Sequence, residues 1–175
     1  MTQALINALT TTIRDVQDFP KPGILFKDIT PVLANPRLFQ DVITWVAGEF
    51  AGQQVDYVVG MESRGFIFGA PVALQLQAGF VPARKPGKLP GLTERVSYDL
   101  EYGSASLEIH VDGIKKGSKV LIVDDLLATG GTAAATVKLV RKLGGEVVAC
   151  CFLVELDFLE GRKLLDVPVL SLLHY

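Results

Sequence analysis

The chain has 175 residues, of which 49% are hydrophobic and 21% are charged, and this composition excludes a disordered or low-complexity chain. Its 17 Lys and Arg residues face 19 Asp and Glu residues, so it lacks the basic excess that duplex nucleic acid requires. The longest apolar run, residues 147–154, is far shorter than the roughly 20 residues that span a membrane. Without a recognisable secretion signal, we expect one domain in the cytoplasm, with no membrane or nucleic acid partner.

The apolar residues at the start of the chain have helical spacing. From Leu5 to Val16 they predict a first helix, which ends before the proline-rich turn over residues 19–23. A second helix is predicted to begin with Asn35 as its N-cap and Pro36 at its first helical position.

Short apolar strands and helices alternate from residue 55 onward. The two cysteines, Cys150 and Cys151, lie in one of these strands, and we interpret both as buried core thiols. Continuous apolar strands suit a sheet covered on both faces, so we predict an α/β fold with a central, mostly parallel sheet flanked by helices. Strands are predicted over residues 55–60, 79–83, 120–124 and 147–154, and helices over residues 65–77 and 132–143.

One stretch departs from this alternation. Apolar and polar side chains alternate over residues 96–111 on either side of a Gly-Ser turn, which predicts two antiparallel strands outside the sheet. They follow a basic loop rich in glycine and proline over residues 84–91, and long loops are often lids. We predict a flexible antiparallel lid, or hood, over about residues 84–110. His110 is expected to face solvent, and neither it nor His174 is given a catalytic role.

The sharpest chemical signal follows the strand over residues 120–124. Ligands bind beyond the carboxyl ends of strands in an open parallel sheet, and here Asp124 and Asp125 are followed by a small-residue loop over residues 128–132. The loop's glycines, hydroxyls and helix N–H groups suit a phosphate monoester, although the loop lacks the lysine of a Walker motif. The carboxylates suit a sugar diol and a magnesium ion, and the alternative is a tight turn with two solvated acids.

Residues 120–132 resemble the phosphoribosyl-pyrophosphate (PRPP) signature of the type I phosphoribosyltransferases. Residues 19–31 resemble the adenine-site segment of the adenine phosphoribosyltransferases in that family, and residues 60–66 resemble their pyrophosphate loop. The resemblance covers nearly the whole chain and implies a single type I phosphoribosyltransferase domain over residues 1–175. Further matches, to the family's flexible hood and to two short segments, lie at residues 84–90, 97–103, 154–156 and 171–173.

This resemblance implies transfer of the 5-phosphoribosyl group of PRPP to N9 of adenine, which yields AMP and pyrophosphate in purine salvage. Asp124 and Asp125 would engage the ribose hydroxyls, and Glu101 is the candidate for proton handling at adenine. The 5′-phosphate would be held by Ala128, Thr129, Gly130, Gly131 and Thr132. Pyrophosphate would be bound by Glu62, Ser63, Arg64, Gly65, Arg84, Lys85, Lys88 and Tyr102. The base would be surrounded by Leu25, Phe26, Lys27 and Leu159.

Several of these side chains also have a plainer interpretation. Arg64 suits either bidentate contact with pyrophosphate oxygens or a surface salt bridge. The lid cations belong either to a hinge that closes on ligand or to a solvated basic loop. Glu101 either becomes buried on lid closure, with a raised pKa, or stays exposed. Phe26 either packs in the core or stacks on the base.

The resemblance further implies magnesium as cofactor, bound mainly through PRPP and near Asp124 and Asp125 rather than in a dedicated protein cage. It also implies a homodimer and a cis peptide bond in the pyrophosphate loop. Two rival functions stay open: a phosphoribosyltransferase for hypoxanthine, guanine or xanthine, and a non-catalytic regulator that senses PRPP. Such a regulator should carry an appended DNA-binding module and a basic face, and the sequence indicates neither.

Overall fold

The computed structural model describes residues 2–99 and 104–175. The chain forms two compact units, residues 1–46 and residues 47–175. The single domain expected over residues 1–175 stays a prediction. Among the described residues, no helix is long and apolar enough to cross a bilayer.

The first unit contains α1 (Thr2–Thr12), β1 (Arg14–Gln17), β2 (Leu25–Asp28), α2 (Thr30–Ala34) and the start of α3 (Pro36–Phe50). The prediction of a helix through Val16 is wrong, because β1 pairs antiparallel with β2, and Lys27 Nζ lies 2.6 Å from Asp15 Oδ1 across the pair. Three successive threonines weaken the end of α1, and opposite charges on facing strands favour the pairing. The predicted N-cap of α3 is confirmed, since Asn35 Oδ1 accepts a hydrogen bond from the Leu38 N–H at 3.1 Å.

The second unit is built on a five-stranded sheet in the order β4-β3-β7-β8-β9. All of its strand pairs are parallel, which confirms the predicted α/β fold. Two short 3-10 helices, Asp157–Leu159 and Gly161–Leu164, connect the last two strands. The elements in chain order are β3 (Tyr57–Met61), α4 (Gly65–Leu76), β4 (Gly79–Ala83), β5 (Thr93–Asp99), β6 (Ser104–His110), β7 (Lys119–Leu127), α5 (Gly131–Lys142), β8 (Glu146–Glu155) and β9 (Val169–His174).

The core of this unit lies along the central strand β7, where Leu121 and Ile122 are fully buried. α4 packs on β3 and β7, and α5 packs on β7 and β8. Cys150 and Cys151 in the neighbouring strand are free and buried, which confirms their interpretation as core thiols. Burial raises the pKa of the Cys150 thiol to about 12, so this thiol is protonated at neutral pH.

β5 and β6 form a separate antiparallel pair, the hood ribbon, so the two predicted antiparallel strands are confirmed. The ribbon is attached to the rest of its unit, because Leu107 and Ile109 on β6 are buried in the core and β5 packs against α5. His110 is partly exposed, and its Nε2 atom lies 2.7 Å from the Pro90 carbonyl oxygen. The base of the predicted lid is therefore part of the folded body.

Candidate active site

The loop between β7 and α5 forms a small cradle. β7 continues to Leu127, so Asp124 and Asp125 lie inside the strand and not at its end as predicted. The backbone turns at Gly130 with φ +81°, and α5 begins at the next residue. The first N–H groups of α5 have no acceptor within the helix and are directed outward, where an anion can accept from them. A cavity of about 80 Å³ here is lined by all five residues predicted to bind phosphate, Ala128, Thr129, Gly130, Gly131 and Thr132.

The back of the cradle is a backbone contact that the sequence analysis missed. A Cβ atom added to Gly161 would lie 2.1 Å from the carbonyl oxygen of Ala128, and one added to Gly130 would lie 2.3 Å from the carbonyl oxygen of Gly161. No side chain fits at either position without moving the loop. The turn between the two 3-10 helices therefore sets the position of the phosphate loop from behind.

That turn is held by a buried acid. Glu155 accepts hydrogen bonds from Arg162 Nε at 2.9 Å and from Ser171 Oγ at 2.6 Å. These partners, Arg162 first, hold the pKa of Glu155 below its usual value. Glu155 also lies near Asp157 and His174, a group of three potential metal ligands among the described residues. Because both oxygens of Glu155 already accept from Arg162, we interpret this acid as an anchor for the turn.

The predicted carboxylate pair, Asp124 and Asp125, lies next to residues that follow β3. Arg64 Nε lies 2.9 Å from Asp125 Oδ2, and the Asp125 side chain is only 6% exposed. Asp124 Oδ1 accepts the Asp125 N–H at 2.9 Å and would lie 2.8 Å from a Cβ atom on Gly65. Burial, and then the adjacent charge of Asp125, raise the pKa of Asp124 well above its usual value. The structure thus brings four predicted site residues together, and it gives Arg64 a buried acid as its partner.

The segment predicted to bind pyrophosphate has an ion pair at its centre. The Glu62–Ser63 peptide bond is cis, as the family resemblance implied. Arg84 Nε lies 3.2 Å from Glu62 Oε2, and the same oxygen accepts the Lys85 N–H at 3.0 Å. Both contacts, Arg84 first, lower the pKa of Glu62. The Glu62 carboxylate therefore joins this segment to the start of the basic loop, while Lys85 and Lys88 have exposed side chains.

A second buried acid fixes the middle of the basic loop. Glu108 on β6 is 4% exposed and accepts hydrogen bonds from Arg95 and from the Gly87 N–H. The hydrogen bond from Arg95 lowers the pKa of Glu108 and outweighs burial, which acts to raise it. The sequence analysis missed this residue, because an acid between two apolar strand residues gives no functional signal on its own. Two acids thus anchor the predicted lid at its base.

The residues predicted to surround the base lie on two segments. In the first unit, β2 carries Leu25, Phe26 and Lys27, and the Phe26 ring packs edge-on against Phe19 with centroids 5.0 Å apart. Leu159, in the second unit, lies on the first 3-10 helix and is 36% exposed. Glu101 and Tyr102 lie outside the described residues.

The chain is similar to known proteins over most of its length. The model of the phosphoribosyl transferase domain family matches residues 28–172. The adenine phosphoribosyltransferase of Myxococcus xanthus is 62% identical over 157 residues, which cover 90% of this chain and 85% of that protein. The crystal structure of adenine phosphoribosyltransferase from Rhodothermus marinus superposes with a TM-score of 0.94 at 52% identity, covering 99% of both chains.

A further solved structure is the Saccharomyces cerevisiae adenine phosphoribosyltransferase, crystallised with adenine and an imino-altritol bisphosphate. It superposes with a TM-score of 0.93 at 45% identity, covering 97% of this chain and 99% of that one. Matches of this extent, together with the phosphate cradle and the carboxylate pair, establish the family. The chain belongs to the phosphoribosyl transferase domain family and, within it, to the adenine phosphoribosyltransferases.

Proposed function

We propose that this chain transfers the 5-phosphoribosyl group of PRPP to N9 of adenine and releases AMP and pyrophosphate. The observation that carries the proposal is the phosphate cradle over residues 128–132, whose cavity Asp124 also lines. Adenine is favoured as the base because the relatives reported above are adenine phosphoribosyltransferases. None of those relatives supports a 6-oxopurine enzyme or a PRPP-sensing regulator.

In the proposed reaction, the bond between C1′ and the pyrophosphate oxygen breaks while N9 bonds to C1′ and loses its proton. The transition state has oxocarbenium character, so the protein fixes the ribose, stabilises the leaving group and excludes water. The cradle would hold the 5′-phosphate, Asp124 and Asp125 would bind the ribose hydroxyls, and Glu101 would take the proton.

The pyrophosphate is proposed to bind opposite the cradle, against the loop over residues 62–65 and the basic loop. Arg64 and Arg84 are held by Asp125 and Glu62, so both guanidiniums are already placed by acid partners. The exposed side chains of the lid cations, together with Tyr102, would close on the leaving group. The proposal thus assigns pyrophosphate binding to Ser63 and Gly65 in the loop and to Lys85 and Lys88 in the lid.

Magnesium is the proposed cofactor. Asp124 and Asp125 offer the hard oxygen ligands that this ion prefers, but Asp125 is already paired with Arg64. This donor set fits an ion held mainly by oxygens of PRPP, with a small share from the protein. When bound, the ion would neutralise charge on the departing pyrophosphate.

Adenine is proposed to be recognised by backbone groups of Leu25, Phe26 and Lys27. These residues lie in the extended backbone of β2, which presents a carbonyl and an N–H at a spacing that matches the edge of the base. Adenine presents an amino donor at N6 beside an acceptor at N1, whereas hypoxanthine and guanine reverse this pair. A carbonyl and an N–H of β2 would therefore accept adenine and leave a 6-oxopurine with unpaired groups, with the Phe26 ring against the base.

A homodimer is proposed as the assembly, with α4 as the surface that contacts the second copy. Ile67 and Leu74, seven residues apart on one face of this helix, are 39% and 81% exposed. An apolar stripe on a helix that also buries its opposite face is typical of an interface between subunits. The cytoplasmic location expected from the sequence is kept as part of this proposal.

The proposal is tested by incubating the purified protein with PRPP, magnesium and one nucleobase at a time, with nucleotide formation followed by chromatography. We expect AMP from adenine, with kcat/KM higher than for hypoxanthine or guanine by roughly 10⁴, because a 6-oxopurine would leave buried polar groups unpaired. Equal rates for adenine and hypoxanthine would refute adenine as the base. No nucleotide from any base would refute the transferase itself.

A further inference from the structure

A side chain of the hood ribbon contacts the phosphate cradle. The hydroxyl oxygen of Tyr98, on β5, lies 3.1 Å from Oγ1 of Thr132, the second residue of α5. The Tyr98 ring packs against the core of its unit, so the position of its hydroxyl is fixed by the ring. Thr132 also lines the cavity of the cradle. Tyr98 thus reaches, from outside the loop, the hydroxyl of a residue that lines the ligand cavity.

The direction of this hydrogen bond follows from what each hydroxyl can offer. A threonine hydroxyl has one proton and two lone pairs. If Thr132 donated to Tyr98, it would present only lone pairs to the cavity, and these repel a phosphate that is itself rich in acceptors. If Tyr98 donates to Thr132, the Thr132 proton is free to point at the phosphate. Each bond in such a chain polarises the next and strengthens it.

We infer that Tyr98 is a positioning residue for the 5′-phosphate: its hydroxyl donates to Thr132 Oγ1 and directs the Thr132 proton into the cradle. The inference rests on the proposed function, because it takes the cavity ligand to be the phosphate of a ribose 5-phosphate group. It adds to that function a residue of the hood ribbon that acts on the phosphate through Thr132, at the opposite end of the ribose from the leaving pyrophosphate.

The hydroxyl is not needed to attach the ribbon. β5 is already tied to α5 by the ion pair between Glu94 and Lys142, with Nζ 2.5 Å from Oε1, and β6 is anchored by buried apolar residues. Removing only the Tyr98 hydroxyl keeps the ring and its packing. A loss of phosphate affinity in Tyr98→Phe, with a loss of thermal stability no larger than that of one hydrogen bond, is therefore the signature that separates positioning from a structural role.

The first experiment measures binding of ribose 5-phosphate by calorimetry to the wild type and to Tyr98→Phe. We expect the variant to bind roughly 3- to 10-fold more weakly, the value of about one hydrogen bond, with a Tm lower by no more than about 4 °C. Binding of pyrophosphate should stay the same. The matched control is Ser106→Ala, which removes a hydroxyl from the same ribbon, where Ser106 Oγ lies 2.9 Å from Ser97 Oγ. This control should bind ribose 5-phosphate as the wild type does.

The second experiment is a double-mutant cycle with Thr132→Val. If Tyr98 acts through Thr132, the double variant binds ribose 5-phosphate no more weakly than Thr132→Val alone. Equal affinity of Tyr98→Phe and wild type, additive losses in the cycle, or equal losses for pyrophosphate would each overturn the inference. Loss of affinity in Tyr98→Phe with coupling to Thr132, in a protein that makes no AMP, would support the positioning role and refute the proposed transferase function alone.

Discussion

The two anion-binding regions proposed here are built from different chemical groups. The cradle over residues 128–132 offers backbone N–H groups and two hydroxyls, and none of its own side chains is charged. The pyrophosphate side offers Arg64 and Arg84, and each lies in an ion pair with a carboxylate. Neutral donors on a fixed backbone suit a group that stays bound throughout the reaction. Arginines that can pair either with a carboxylate of the protein or with the ligand suit the pyrophosphate, which has to leave.

The two regions also differ in how the fold supports them. The cradle lies at the end of the central strand and is wedged by the backbone of Gly161, so it has little room to move. The basic loop is fixed at its base by Glu62 and Glu108, but Lys85 and Lys88 have exposed side chains. We therefore expect changes near the cradle to alter affinity through geometry, and changes in the basic loop to act mainly through charge.

The largest effect is expected where the two regions meet, at the carboxylate pair. Asp124→Asn together with Asp125→Asn should lower kcat by roughly 100-fold or more, because the groups proposed to bind the ribose diol lose their charge. Asparagine keeps the shape but breaks the ion pair with Arg64, which is partly exposed, so Tm should fall by no more than about 8 °C. Activity and thermal melting measured on the same preparation check this. Retention of most activity would contradict the diol assignment.

A smaller effect is expected at the back of the cradle. Gly161→Ala places a methyl group where the Ala128 carbonyl oxygen lies 2.1 Å away, so the phosphate loop has to move. Displacement on this scale should raise KM for PRPP by roughly 10- to 100-fold. Gly52→Ala is the matched control, because a Cβ atom there meets nothing within 4 Å. Similar KM values for both variants would show that the wedge does not set the geometry of the loop.

These two sites illustrate which features the sequence can predict. The β7 strand, the acids and the loop that follows are contiguous, so local patterns and hydrogen-bonding rules were enough to predict the cradle. Gly161 and Tyr98 reach the same loop from distant parts of the chain, and a contact between distant segments leaves no periodicity in either. Glu155 lies in a segment that resembles the family, but its hydrogen bond from Arg162 became evident only from the structure.

The errors in the fold prediction have the same origin. The apolar spacing from Leu5 to Val16 fits a helix, yet Val16 lies in β1, because pairing with β2 stabilises an extended backbone there. β9 was not predicted as a strand, because an apolar run of that length is ambiguous until its neighbour β8 is known. Elements inside the alternating strand and helix pattern were predicted correctly in type, although β7 extends past its predicted end, and elements defined by a distant partner were not predicted.

On the pyrophosphate side, a single charge should matter less. Lys85→Ala should weaken pyrophosphate binding by roughly 5- to 10-fold, since its exposed ammonium would meet the anion in a partly solvated site. The loss should shrink as salt is raised, because screening weakens the interaction that is removed. Lys138→Ala, an exposed lysine on α5, is the matched control and should bind pyrophosphate normally. A loss that does not depend on salt would argue against a direct charge contact.

The smallest expected effect separates the mobile part of the lid from its base. Amide hydrogen exchange over residues 85–92 should slow by at least about threefold when PRPP and magnesium are added, because this loop has few buried contacts to protect it in the free protein. β6 should change less, since Leu107 and Ile109 are already buried. β8 serves as the reference, because its buried amides report only the stability that ligand binding adds to the whole fold.

Slowing confined to residues 85–92 would indicate closure of the exposed cations over the leaving group. Equal slowing in all three segments would mean that the ligand only stabilises the fold, and the lid would then have to be assigned to another part of the chain.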